Sequence, residues 1–312
     1  MTAKLLEATQ SGAPVDMVKM YNFTTFDIMA DLSFNESLGL LETGKYSAWV
    51  EAVFLSIKTS VRLQALAKLS RLSVFLIKQI ILRIPSVQAK FWEQFNYAAE
   101  RVDRGLERQP ERPDLWSKVI GNPTLSLDEH YSNASLFMIA GTETTATALS
   151  GITYWLLRSP ALMDKLKTEI RTTFCDAGEI NLDSIARLEY LNAVIYEGLR
   201  MYRPVPFLMP RIVPKGGIVI CGRFVPAGPT VGVHSFATYR SPTNFEKPDT
   251  FCPERWLGDA GRKNRDLQAV EPFSIGPRSC IGRNLAWHEL RLILVMVLLR
   301  FDLALCKESQ KW

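Results

Sequence analysis

The chain has 312 residues, 47% of them apolar and 22% charged, with a formal net charge of +5. This composition supports a substantial core under an ordinary globular surface, and its diffuse positive charge suits an acidic partner or an anionic membrane and argues against nucleic acid. The five cysteines (175, 221, 252, 280 and 306) form no CxxC pair and no even framework, so reduced thiols facing the cytosol are expected. No signal peptide opens the chain, and no run is long and apolar enough for a transmembrane helix.

Residues 14–35 carry apolar side chains at helical spacing (Met17, Met20, Tyr21, Ile28 and Leu32 among them), with Asp16 placed to cap the first turn. Residues 46–84 form a long apolar and basic tract. Within it Val61, Leu66, Leu69, Leu72, Leu76, Ile80 and Ile81 mix with Arg62, Lys68, Arg71, Lys78 and Arg83. Such a run is either a membrane-surface element, contacting a bilayer through 61–84, or a packed helix. The packed reading is favoured because most helical apolar stripes face a core. Pro85 ends the tract, and a charged helix is expected from Ser86 to about Glu107.

Gln109–Asp114 and Gly121-Asn122-Pro123 read as surface connections. One long helix is expected from about Leu127 to Arg158, stopped by Ser159-Pro160. Further helices follow over Ala161–Phe174 and Leu188–Tyr202, with a short turn of helix at Asp183–Ala186. The pattern then changes: Arg211–Val213, Ile218–Cys221 and Thr230–Val233 are short β-prone pieces punctuated by glycine and proline. Residues 241–272 are irregular. There are no repeats and no linker, so residues 1–312 read as a single domain, mainly α with a small β subdomain.

The chemistry gathers at Phe273-Ser274-Ile275-Gly276-Pro277-Arg278-Ser279-Cys280-Ile281-Gly282, which opens the last long helical run. Gly276 and Gly282 flank the cysteine, as expected where backbone turns tightly or approaches a flat ligand. A thiol at the start of a helix gains from the dipole and from unpaired amides, which favours the thiolate and makes Cys280 a metal ligand. Arg278 offers a cation to an anionic cofactor group. Phe273 is placed to cover the sulfur or the cofactor's face. Upstream, Ala140 and Thr144 lie one helical turn apart beside Gly141, with Glu143 between, a small-residue face with polar groups. Glu197 and Arg200 share another helix face. Read alone they are a surface ion pair worth at most about 1 kcal/mol.

Taken together, these motifs resemble the cytochrome P450 family. The cysteine stretch matches its haem-binding signature Phe-x-x-Gly-x-Arg-x-Cys-x-Gly at every fixed position. Ala140-Gly141-Thr142-Glu143-Thr144-Thr145, Glu197-Gly198-Leu199-Arg200 and Pro253-Glu254-Arg255-Trp256 follow in the family's order. The likeness covers essentially the whole chain, and its N-terminal part is similar to fungal secondary-metabolite members such as the isotrichodermin hydroxylases. It implies the cytochrome P450 fold and a haem iron with Cys280 as axial thiolate. It also implies NADPH-derived electrons delivered by a reductase, and oxygen insertion into an apolar small molecule. The site residues it implies are Phe273, Gly276, Arg278 and Gly282 around the haem, Arg211 reaching a propionate, and Ala140 and Gly141 flanking the oxygen pocket. Thr144 would steady the bound oxygen and Glu143 relay protons, and Val205-Pro206-Phe207-Leu208 would line the substrate pocket. Glu197, Arg200 and Arg255 would form a buried structural triad. Full-length eukaryotic members sit on the endoplasmic reticulum membrane, on its cytosolic face. Against that pattern the chain is expected to enter past the family's anchor and first helices and to end before its last hairpin. An alternative expectation is therefore a truncated remnant without activity.

Overall fold

The computed structural model describes residues 1–67, 75, 84–107, 115, 119, 124–258 and 267–312. The expectations for Leu69, Leu72, Leu76, Ile80, Ile81, Lys68, Arg71, Lys78 and Arg83, and for both connections before the long helix, lie outside the described residues. The chain forms two compact units. One comprises Met1 and Ala3–Glu143, the other Thr2 and Thr144–Trp312, and one long helix contributes to both.

In the first unit, α1 (Thr2–Ser11) precedes α2 (Met17–Phe34). As expected, Asp16 caps α2, its carboxylate accepting the Lys19 amide at 3.1 Å. Tyr21, Phe23, Phe26, Met29 and Ala30 are buried along α2. Asp27, buried on the same helix, accepts the amides of Leu40 and Leu41 at 3.0 and 2.9 Å. That carboxylate thereby satisfies two orphan donors at the start of α3 (Leu40–Thr43). α4 (Ala48–Ala67) packs on α5 (Pro85–Glu107), with Trp49 stacked on Tyr97 at 4.6 Å between ring centroids. Pro85 is the first residue of α5, where its amide would have had no partner within the helix and its fixed φ already suits the helix. Ala98 and Val102 of α5 bury Ala134 of α6 (Leu127–Leu157).

The second unit is built on the rest of α6, with α7 (Pro160–Thr173), α8 (Leu182–Ala186), α9 (Glu189–Met201) and α11 (Arg283–Arg300). Leu149, Ile152, Leu156, Leu166, Ile170, Leu191, Val194, Ile195, Leu290 and Leu294 form its apolar interior. Gly198 of α9 lies directly against Ile152 of α6, where a Cβ would collide with the isoleucine Cγ1. The glycine therefore sets how closely these two helices approach.

Two antiparallel hairpin-like pairs carry the β structure. β1 (Arg211–Ile212) pairs with β4 (Thr230–Val231), and β2 (Ile218–Ile220) with β3 (Arg223–Val225). The sequence pattern located β1, β2 and β4 to within two residues but not β3, whose Arg-Phe-Val is too short for alternation to register. The turn between β2 and β3 is Cys221-Gly222, both at positive φ (49° and 76°), the geometry of a two-residue primed turn. α10 (Ser235–Tyr239), one turn of helix, was also not anticipated. No described helix is long and apolar enough to cross a membrane.

Candidate functional site

The cysteine loop is a tight bend. Ser274 (φ 60°) and Gly276 (φ 76°) take left-handed backbone, and Gly276–Arg278 makes a short 3-10 turn. The chain then doubles back so that the Cys280 amide donates to the Phe273 carbonyl at 2.8 Å. α11 starts at Arg283, with Gly282 as its cap, so Cys280 stands just before the helix rather than in its first turn. The sulfur is solvent-exposed. A Cβ on Gly276 would meet nothing within 4 Å, and one on Gly282 would meet only the Cys280 Sγ at 3.9 Å. Space is therefore open on both sides of the thiol. Ile275 and Ile281, its apolar neighbours, are also exposed.

Beneath the loop, rings connect it to the interior. Phe273 lies 6.2 Å from Trp287, Trp287 lies 4.8 Å from Tyr196, and Tyr196 stacks on Trp256 at 5.1 Å. Trp256 Nε1 donates to Glu197 Oε2 at 2.9 Å. Glu197 is wholly buried and holds Arg200 (2.8 Å) and Arg255 (3.0 Å) in ion pairs. Arg200 also donates to the carbonyls of Tyr239 and Pro248, both at 2.7 Å. Arg255 donates to the Glu246 carbonyl at 3.2 Å. The pair is thus a buried triad that ties α9 to the irregular segment ahead of the cysteine loop, not a surface contact.

α6 carries the second set of residues. Ala140 is exposed, Gly141, Glu143 and Thr144 are half-buried, and Ala148 turns into the core. Ala140, Gly141 and Glu143 belong to the first unit and Thr144 to the second. Within the first unit the missing Cβ of Gly141 makes room for the Met29 side chain, whose Sδ lies 2.5 Å from where it would sit. Burial raises the pKa of Glu143 above the usual carboxylate value, with Lys58 opposing, and among the described residues its Oε2 has no hydrogen-bond partner. Arg211 on β1 is exposed and, among the described residues, its side chain donates to the Pro210 carbonyl at 3.0 Å and forms no ion pair. Arg278 is exposed and, among the described residues, has no ion-pair partner.

Among the described residues no three His, Cys, Asp or Glu side chains converge on a metal position. The donor set is one open thiol, two unpaired guanidiniums and exposed apolar side chains. That set fits a flat, apolar iron cofactor carrying carboxylates, with the iron's remaining ligands supplied by the cofactor itself. Three contributors escaped sequence reasoning: Trp256, Tyr196 and Trp287. Trp256 lies inside the Pro253-Glu254-Arg255-Trp256 motif, but nothing in the sequence shows that its indole meets a buried acid.

The family model of cytochrome P450 matches residues 1–312. The chain is 46% identical over 321 residues to cytochrome P450 monooxygenase efuB of Hormonema carpetanum, covering all of this chain and 63% of that protein. It is 43% identical over 300 residues to cytochrome P450 monooxygenase FUM2 of Gibberella moniliformis, covering 95% of this chain and 63% of the relative. The chain therefore spans just under two thirds of the length of these curated relatives. Among solved structures it resembles the heme domain of cytochrome P450DA, with a TM-score of 0.77 at 21% identity over 92% of this chain and 62% of that one. That likeness bears out the expected fold, a helical core with a small β subdomain.

Proposed function

The chain belongs to the cytochrome P450 family, and we propose that residues 1–312 act as one partial catalytic domain of a haem-thiolate monooxygenase in fungal secondary metabolism. Cys280 would hold the iron through its thiolate. Arg278 and Arg211 would pair with carboxylates of the porphyrin, and Phe273, Gly276 and Gly282 would shape the bed around the sulfur. When bound, the haem supplies the activation of O₂ by which one oxygen atom enters an apolar small molecule. Thr144 would hold a proton at its hydroxyl, and Glu143, kept more basic by burial, would carry protons along α6. Ala140 and Gly141 would leave room beside them. Electrons would come from NADPH through a reductase, on the cytosolic face of the endoplasmic reticulum membrane.

The observation that carries this reading is the exposed Cys280 sulfur, pinned by its own amide to Phe273, with open space where Cβ atoms would stand on Gly276 and Gly282. The test is a spectrum. The chain loaded with haem, reduced and exposed to CO is expected to show the red-shifted Soret band of thiolate ligation. A band at the position of histidine- or water-ligated haem, or no retained pigment, would overturn the reading.

A further inference from the structure

Arg203 follows α9 by two residues and is half-buried at the entry to the cysteine loop. Its Nη1 donates to the Tyr239 hydroxyl at 3.3 Å and its Nη2 to the Pro272 carbonyl at 3.4 Å. Its Nε is buried and has no hydrogen-bond partner among the described residues. The guanidinium lies 5.4 Å from the centre of the Tyr239 ring.

A guanidinium drawn out of water ordinarily has a carboxylate beside it. The neighbouring arginines have theirs: Arg200 holds Glu197 at 2.8 Å, Arg255 holds Glu197 at 3.0 Å and Arg240 holds Asp249 at 2.7 Å. Arg203 forms no ion pair among the described residues, and neither does Glu271, the exposed acid next to Pro272. The phenol is no counter-charge either. Tyr239 is 3% exposed, and burial raises its pKa above the usual phenol value, with Arg203 the largest opposing influence. Its hydroxyl is therefore protonated at neutral pH, and Arg203 spends its charge on neutral acceptors.

Both acceptors belong to the frame of the cysteine bend. Tyr239 packs with Phe245 and Val270 in a buried cluster, and its carbonyl accepts Arg200 at 2.7 Å, so it is a fixed point. The Pro272 carbonyl belongs to the peptide that leads into Phe273. The carbonyl of Phe273 in turn accepts the Cys280 amide at 2.8 Å and closes the bend. Proline has no amide hydrogen, so the carbonyl is the one backbone group by which Pro272 can be held. A charge-assisted donor holds it more firmly than a neutral one.

We propose that Arg203 is a positioning residue for Cys280: anchored on the Tyr239 hydroxyl, it fixes the Pro272–Phe273 peptide and so aims the carbonyl on which the cysteine amide rests. This brace grips the loop's backbone at its entry, whereas the rings beneath the loop meet the Phe273 side chain. Neither Arg203 nor Tyr239 lies in the four sequence motifs. The brace itself stands on the chain's own geometry; its consequence for an iron ligand rests on the haem-thiolate reading above.

The experiment is amide hydrogen exchange of the full 312-residue chain, resolved at Cys280. Local openings are read there, and the buried amides of α9 report the whole unit. In Arg203→Gln the Cys280 amide should exchange several-fold faster while those of Leu191, Val194 and Ile195 keep their wild-type rates. Tyr239→Phe keeps the ring and removes only the anchor, and should show a smaller increase at the same amide. An unchanged Cys280 rate in Tyr239→Phe overturns the brace, and needs no Arg203 variant that folds. An increase in Arg203→Gln shared equally by the α9 amides is a general loss of structure and overturns the positioning role. In haem-loaded protein the ferrous–CO band of thiolate ligation should decay several-fold faster in Arg203→Gln. Arg203→Lys, which keeps the charge and a donor for Pro272, should recover most of that lifetime. Equal lifetimes in Arg203→Gln and wild type would overturn the effect on the ligand. A chain whose Cys280 exchange responds as described but whose wild type shows no thiolate band would instead defeat the haem reading alone.

Discussion

Trp256 Nε1 donates to Glu197 Oε2 at 2.9 Å, so the carboxylate that neutralises two arginines is also held by an indole. With the Cys252 amide at 2.8 Å on Oε1, Glu197 accepts bonds from α9 and from the Pro253–Trp256 turn at once. The indole then stacks on Tyr196, which leads through Trp287 to Phe273. One buried acid therefore fixes the irregular segment, and a file of rings carries that order to the loop presenting Cys280.

Glu197→Gln should destabilise the chain by about 3–5 kcal/mol, because two buried guanidiniums lose their counter-charge. Trp256→Phe keeps the stacking and removes one charge-assisted bond, so about 1.5–3 kcal/mol is expected. Denaturant titration of the two variants checks the order. If Glu197→Gln costs no more than Trp256→Phe, the charge pairing is not what anchors this segment.

Gly198→Ala places a methyl into Ile152 where α9 crosses α6. Overpacking of this kind costs about 1–3 kcal/mol. Ile152→Ala opens the space, so the double variant should be less destabilised than the sum of the two singles. Additive losses in thermal or chemical unfolding would mean that the helices adjust elsewhere.

The helices and the cysteine bend were legible because their signals are local. The Asp16 cap, the Ser159-Pro160 stop and the glycines beside Cys280 each act within a few residues. Pro85 shows the limit: proline excludes helix before it, and here it is also the helix's own first residue. The Glu197–Arg200–Arg255 triad was legible only through family likeness, since i, i+3 spacing cannot tell a buried pair from an exposed one. The contacts among the rings beneath the loop were not legible. Tyr196 meets Trp256 and Trp287 from 60 and 91 positions away, and Phe273 meets Trp287 across the whole cysteine bend, separations that no periodicity encodes.

Val219 and Phe224 face each other across the β2–β3 pair and are 65% and 68% exposed, with Ile212 and Val233 exposed at 73% and 70%. Exposed apolar side chains of this kind favour association. The 312-residue chain expressed by itself should self-associate and lose activity on concentration, by light scattering. The double variant Val219→Thr, Phe224→Thr should stay dispersed at several-fold higher concentration with an unchanged unfolding midpoint. Equal scattering from both would place the sticky surface elsewhere.

Cys280→Ser should keep the fold, because the thiol is exposed and the bend holds the residue by its backbone, the amide on the Phe273 carbonyl and the carbonyl accepting the Arg283 amide at 3.4 Å. Circular dichroism is expected to be unchanged, while the red-shifted ferrous–CO band is lost, an alcohol being a poor substitute for the electron-donating sulfur. Retention of that band in the variant would remove Cys280 from the ligand position.

On the proposed reading Thr144 and Glu143 would handle protons without holding the cofactor, so their variants should bind haem as the wild type does and differ in coupling. Thr144→Ala removes a half-buried hydroxyl and is expected to divert reducing equivalents into peroxide, lowering product formed per NADPH several-fold. Glu143→Gln should act differently with pH. Because burial raises the Glu143 pKa, its acid form persists above the pH at which an exposed glutamate ionises, and is lost as pH rises further. The stability that goes with the neutral form follows the same sign, greatest at low pH and declining as pH climbs through the folded-state pKa. Coupling in the wild type should therefore fall toward alkaline pH, and in Glu143→Gln this part of the profile should be flat. Steady-state NADPH, peroxide and product measured across the pH range in full-length protein decide the matter. Superimposable profiles for wild type and Glu143→Gln would take Glu143 out of the proton path, and equal coupling in Thr144→Ala would do the same for the hydroxyl.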